Sequence, residues 1–182
     1  MRVISGIARN TKLTALAGED VTRPTIERVK EGMFSAVQFM IDGAKVLDLC
    51  AGSGQLGIEA LSRGAEKCVF IDQNRDAIAV IQQNLKAAGL FNSASVAQTS
   101  AEGYLASCRE KFDLILCDPP YHQNAAATFL PLIAKIAAPG ASVLFEAEAR
   151  AVMPEKCENL TLQKKYQYGA VLVCRYENIV EF

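Results

Sequence analysis

The chain has a single histidine, His122, and no Cys-x-x-Cys pair. That scarcity leaves no ligand pattern for a zinc site. Cys50, Cys68, Cys108, Cys117, Cys157 and Cys174 are scattered, and several lie inside apolar runs, as buried free thiols do. A reducing cytoplasm is expected rather than a disulfide framework. No uncharged apolar run reaches the ~18 residues that span a bilayer. The longest candidate, residues 129–145, is broken by Lys135, Pro139 and Gly140. The N-terminus carries Arg2, Arg9 and Lys12 without an apolar signal core, so no secretion signal is read there. Internal repeats, low-complexity segments and paired carboxylates are missing too. A net charge of −1 gives no global sign of a nucleic-acid partner.

What is there suits one ordinary domain. The 182 residues are 51% hydrophobic and 21% charged, enough for a full-sized core. The charge is unevenly spread. Residues 1–30 hold six basic side chains against three acidic ones, and the remainder holds 13 against 17. Such asymmetry marks either a basic arm that meets phosphate or a solvated surface without a partner. The basic residues expected to meet such phosphate are Arg9, Lys12, Arg23 and Lys30.

From residue 45 onward, short apolar runs alternate with helical patterns. Strands are expected at 45–49, 68–71, 94–97, 112–117 and 142–145. Helices are expected at 56–63, 77–85, near 104–108, and at 125–138 up to Pro139-Gly140. This alternation argues for an α/β fold, a parallel sheet with helices on both faces. Residues 160–167 and 170–175 read as a terminal antiparallel hairpin. A helix starts at Pro24 and runs to about residue 40, with Ile26, Val29, Met33 and Val37 on one face. Residues 1–22 read as a small basic arm or hairpin, and 23–182 as the main domain.

Two motifs carry the chemistry. Gly52-x-Gly54-x-x-Gly57 follows the first strand, and Asp72 lies 20 residues beyond Gly52. Glycines let bare backbone approach a ligand, and an acidic residue ending the second strand accepts ribose hydroxyls. A strand-to-helix turn with no ligand would use the same glycines. Asp48, however, is expected inside the site, where it would repel a pyrophosphate and attract the ammonium and sulfonium of S-adenosylmethionine (SAM). The second motif is Asp118-Pro119-Pro120-Tyr121, expected at the C-terminal end of a strand of the same sheet. An exocyclic ring amine is a poor nucleophile because its lone pair is delocalised. Asp118 and the Pro119 carbonyl could each accept an N–H, the prolines stiffen the turn, and Tyr121 offers a stacking face. His122 reads as a solvated loop residue.

These residues resemble the bacterial 16S rRNA guanine-N2-methyltransferases of the RsmD type. The likeness includes Met1-Arg2-Val3-Ile4-Ser5-Gly6, Thr22-Arg23-Pro24-Thr25, residues 56–65, the Asp118 motif and Tyr168-Gly169. It implies a Rossmann-like SAM-dependent methyltransferase fold. That fold has a mostly parallel seven-stranded sheet, a C-terminal antiparallel hairpin and an N-terminal β-hairpin arm. It implies methylation of a guanine in 16S rRNA within an assembling 30S particle. It places Asp48, Cys50, Ala51, Gly52, Ser53 and Gly54 along SAM, Asp72 and Gln73 at its ribose, and Ser100 and Ala101 beside its adenine. The guanine falls to Asp118, Pro119, Pro120 and Tyr121. Asn10 stands where glycine is expected, Cys50 where an aromatic is expected, Gln55 for alanine and Asp72 for glutamate. Three other readings share the motifs: an adenine-N6 or cytosine-N4 methyltransferase, a non-catalytic RNA-binding assembly factor, and a dinucleotide-dependent dehydrogenase.

Overall fold

The computed structural model describes residues 1–17, 23–120 and 124–179, without the side chains of 23–26. The apolar segment Lys45–Leu49 forms β1, at the middle of the parallel sheet. β2 (Lys67–Asp72) and β4 (Phe112–Cys117) flank it, both parallel to it. β3 (Ala94–Gln98) lies outside β2, and β5 (Ala137–Glu148) lies outside β4. β8 (Val171–Asn178), β7 (Leu160–Tyr168) and the two-residue β6 (Lys156–Cys157) extend the sheet with antiparallel pairing. The order is β3-β2-β1-β4-β5-β8-β7-β6. The strand beyond the expected seven is β6, too short to leave a sequence pattern.

Helices cover both faces: α1 (Arg23–Val37), α2 (Gln55–Ser62), α3 (Arg75–Ala87), α4 (Ala101–Ser107) and α5 (Ala125–Ile136). The period of two along each strand divides the core accordingly. Val46, Phe70, Leu114, Leu116 and Leu144 pack with α1, α2 and α3. Leu47, Leu49, Ile71, Ile115 and Phe145 pack with α4 and α5. Gly57 permits one close approach: a Cβ there would lie 2.3 Å from the Phe70 ring and 2.7 Å from the Cys68 sulfur.

The helix expected to end at Pro139-Gly140 stops earlier, at Ile136. β5 is already under way at those two residues. β4–β5 pairing passes from Phe112↔Ala137 to Leu114↔Ser142, so residues 138–141 stand opposite Asp113 alone. A proline lacking its N–H and a glycine at φ +76° fit that interruption.

Residues 1–13 form a short hairpin joined by an Arg2↔Lys12 bridge. Val3, Ala8 and Leu13 are buried in the α1–α3 side of the core. Asn10 takes φ +70°, the left-handed conformation that glycine adopts freely and asparagine tolerates. The hairpin lies along α2. Its turn meets the far end of that helix, where Ile7 N–H donates to the Ser62 carbonyl and Ala8 N–H to Ser62 Oγ. Among the described residues no helix is long and apolar enough to cross a membrane.

Candidate active site

Leu49 pairs with Ile71 on one side and Cys117 on the other. The next residue of each strand path therefore emerges side by side: Cys50, Asp72 and Asp118. They line one crevice with a cavity volume of about 430 Å³, together with Gln73, Ala101 and Pro120. Parallel strands that end in register make such a crevice, because each must turn away there to its helix.

The glycine loop folds against this end. Cys50, Gly52 and Gly54 all have positive φ (57°, 54° and 76°). The loop is fixed from outside by Ala51 N–H to the Ile71 carbonyl at 3.0 Å and Gly52 N–H to Asp72 Oδ2 at 2.9 Å. Asp72 Oδ1 also accepts from Asn74 N–H at 2.8 Å. Asp72 thus ties β1's loop to β2's turn while still facing the crevice. Ser100 caps α4 by accepting from Gly103 N–H, which sets Ala101 at the crevice wall.

Two cofactor assignments are corrected. Asp48 shares the parity of Val46, so it points under α2 and accepts from Gly57 N–H at 2.9 Å, with 1% of its surface exposed. Burial, the largest cause, pushes its carboxyl up to about 8. Asp48 supports the loop from behind and does not line the crevice. Ser53 is also buried, its hydroxyl 3.5 Å from Met1 Sδ, and it faces the N-terminal hairpin.

The Asp48 shift gives a test with a definite sign. The folded state keeps a proton that the unfolded chain gives up at 3.8, so stability declines as pH rises from 3.8 through about 8. Asp48→Asn keeps an acceptor for Gly57 N–H without that proton. The melting temperature of the wild type should therefore fall relative to Asp48→Asn across that window. Parallel profiles would show that Asp48 is ionised in the fold.

One RNA-contact assignment is also corrected. Lys30 is 1% exposed, 3.3 Å from Glu59, and donates to the Arg2 carbonyl at 2.7 Å. It is an internal tie and cannot meet RNA. Arg9 and Lys12 are exposed. The side chain of Arg23, and Tyr121 and His122 altogether, lie outside the described residues.

The crevice carries Glu102 as well, in the first turn of α4, a residue the motif reading passed over. Its position one residue after the helix start was the available signal. Asn124, Thr128 and Phe129 complete the opposite wall from α5. Asp72, Glu102 and Asp118 are acidic, and no Lys or Arg is among the lining residues. An anionic pyrophosphate would be repelled here, whereas an ammonium and a sulfonium would be attracted. The donor set therefore suits SAM and argues against a dinucleotide. Among the described residues no acidic, cysteine and histidine group is arranged to hold a metal ion. Burial, then Asp72 and Asp118, push the Cys50 thiol up to about 12, so it is no nucleophile.

Comparison with known proteins agrees. The family model described as "Conserved hypothetical protein 95" matches residues 1–177. "Putative rRNA methyltransferase YlbH" of Bacillus subtilis is 38% identical over 182 residues, covering 97% of this chain and 98% of its own length. "Ribosomal RNA small subunit methyltransferase D" of Haemophilus influenzae is 33% identical over 183 residues, covering 98% and 94%. A solved structure, "Putative methyltransferase yhhF" from Escherichia coli, superposes with a TM-score of 0.86 at 28% identity, covering 100% of this chain and 99% of that one. With a family match that runs through nearly every element described above, the chain belongs to the RsmD-type family of SAM-dependent methyltransferases.

Proposed function

We propose that the protein methylates the exocyclic N2 amine of a guanine in 16S rRNA, in the cytoplasm, while the small subunit assembles. The observation that carries this reading is the shared crevice of Asp118, Pro120, Asp72 and Glu102 at one end of β1, β2 and β4. SAM supplies an electrophilic methyl group on a cationic sulfur. Asp118 accepts one amine N–H and the Pro119 carbonyl accepts the other, which turns the nitrogen lone pair toward the methyl carbon. A C–N bond forms as the C–S bond breaks, and the surplus proton leaves through Asp118 to water. Asp72 and Gln73 hold the ribose, and Ala101 borders the adenine. Tyr121 stacks on the base.

Nucleoside mass spectrometry after incubation with SAM and RNA tests this. N2-methylguanosine is expected, with assembled small-subunit particles and deproteinised 16S rRNA compared as substrates. N6-methyladenosine or N4-methylcytidine would replace the guanine assignment. No methylated nucleoside on either substrate would favour a non-catalytic assembly factor.

The exposed Arg9 and Lys12 are proposed to meet RNA phosphate. Arg9→Ala combined with Lys12→Ala should weaken RNA binding and reduce the slope of log affinity against log salt by about 1–2, the value for two lost phosphate contacts. SAM affinity should stay within about twofold. An unchanged salt slope would remove the arm from the RNA interface.

A further inference from the structure

Asn84 sits in the last part of α3, 1% exposed, with a saturated set of bonds. Its Nδ2 donates to the Ser53 carbonyl at 2.9 Å and to the Thr14 carbonyl at 2.9 Å. Its Oδ1 accepts from Thr14 N–H at 2.8 Å. One side chain therefore holds the glycine loop and the end of the N-terminal hairpin together. No helix-internal requirement calls for a buried amide there, since asparagine favours helix interiors less than alanine or leucine does. The contact between Met1 Sδ and Ser53 Oγ joins the same two segments a second time.

From this geometry we infer that Asn84 is a positioning residue that couples occupancy of the cofactor crevice to order in the N-terminal hairpin. The inference rests on the reading that the backbone of Ala51, Gly52 and Gly54 meets SAM. The inner side of that loop faces the ligand, and its outer side presents the Ser53 carbonyl to Asn84. A ligand that selects one loop conformation fixes where that carbonyl points. Asn84 then holds Thr14 with both of its polar atoms, and Thr14 fixes the strand that carries Lys12. Two sites that bias one shared element are thermodynamically linked, and the link is reciprocal. Cofactor binding would thereby pre-order the basic hairpin before RNA arrives.

Amide hydrogen exchange on the full-length protein tests this with S-adenosylhomocysteine as the probe, its binding checked by calorimetry. In the wild type the Val3, Leu13 and Thr14 amides, bonded to Thr11, Met1 and Asn84, should slow by about fivefold at saturation, the lower end of ordinary coupling. Amides at the β7–β8 tip, remote from that loop in the sheet order, should keep their rates, which separates coupling from global stabilisation. In Asn84→Asp, which keeps the acceptor but loses both donors, the hairpin's slowing should drop below about twofold. Asn84→Ser serves if that variant does not fold. Gln83→Ala, whose exposed amide reaches only Thr14 Oγ1, should retain the full effect. A purely structural asparagine would change the basal rates but not the ligand-induced increment. Wild-type binding without hairpin slowing, or a folded Asn84 variant with the full increment, would overturn the coupling. No binding to the wild type would instead reject the cofactor reading on which it rests.

Discussion

Asp118→Ala should lower single-turnover methylation by about 10²–10³-fold, the usual effect of removing one aligned acceptor from a transition state. Affinity for S-adenosylhomocysteine should change by only a few-fold. The separation follows from where Asp118 stands. It is the first residue beyond β4, exposed at the sheet's end, and lines the crevice with Pro120. Asp72 and Gln73, the proposed ribose contacts at the end of β2, are untouched by the change. Asp118→Asn should recover little, because an amide presents one acceptor and a competing pair of donors to the amine. Rapid-quench measurement of the methylated nucleoside, alongside calorimetry, separates the chemical step from binding. A wild-type single-turnover rate in Asp118→Ala would remove Asp118 from the chemistry.

Glu59→Ala should be the most damaging change to stability. Glu59 is 0% exposed and accepts four hydrogen-bond or ionic contacts. Ile4 and Ser5 N–H donate at 2.9 and 3.0 Å, Arg63 Nε at 2.8 Å, and Lys30 Nζ lies at 3.3 Å. Removing it strands a buried ammonium and two backbone donors, a loss of about 3–5 kcal/mol. At about 2–4 °C per kcal/mol for a chain of this size, the melting temperature should fall by roughly 6–20 °C. Burial, the largest cause, already lowers the Lys30 ammonium below its usual value, and Glu59 opposes that. Without Glu59 the depression deepens. A group whose folded value is lowered costs less as pH rises, so the deficit should ease in alkaline buffer. The pair Lys30→Met with Glu59→Gln removes both charges and keeps one acceptor oxygen, enough for one of the Ile4 and Ser5 N–H groups. It should be milder than Glu59→Ala alone. Equal melting temperatures for wild type and Glu59→Ala would show that the Glu59 contacts add nothing to the docking of the hairpin.

The parallel half of the fold was legible because burial on both faces writes continuous apolar runs. β1 and β4 match the expected 45–49 and 112–117 to the residue. The alternation also gave the order of elements, and with it the crevice that brings Cys50, Asp72 and Asp118 together. What it hid was direction. Asp48 reads as facing a ligand, yet the period of two along β1 turns it beneath α2. Lys30 reads as surface charge because nothing nearby in sequence reveals Glu59, 29 positions away and on another helix. Asn84 gave no signal for the same reason, since its partners are 70 and 31 residues distant. The glycine expected at position 10 predicted the backbone conformation that Asn10 adopts, so a departure in residue type left the turn intact.

The outer margin of the sheet bears on how the protein behaves in a crowded cell. Among the described residues β6 pairs with β7 only at Leu160 and Thr161, and Leu162 N–H donates to the Glu155 carbonyl, which leaves the outer edge of residues 163–168 without a strand partner. Such a margin invites another chain to add to it. Here the pairing with β8 shifts between Leu162 and Lys164, and Lys164 and Lys165 follow at once, both exposed. A bulge twists the strand away from flatness, and two adjacent ammonium groups repel a second copy brought alongside. The placement of those lysines opposes self-association along this margin, a consequence separate from catalysis and far from β1 in the sheet.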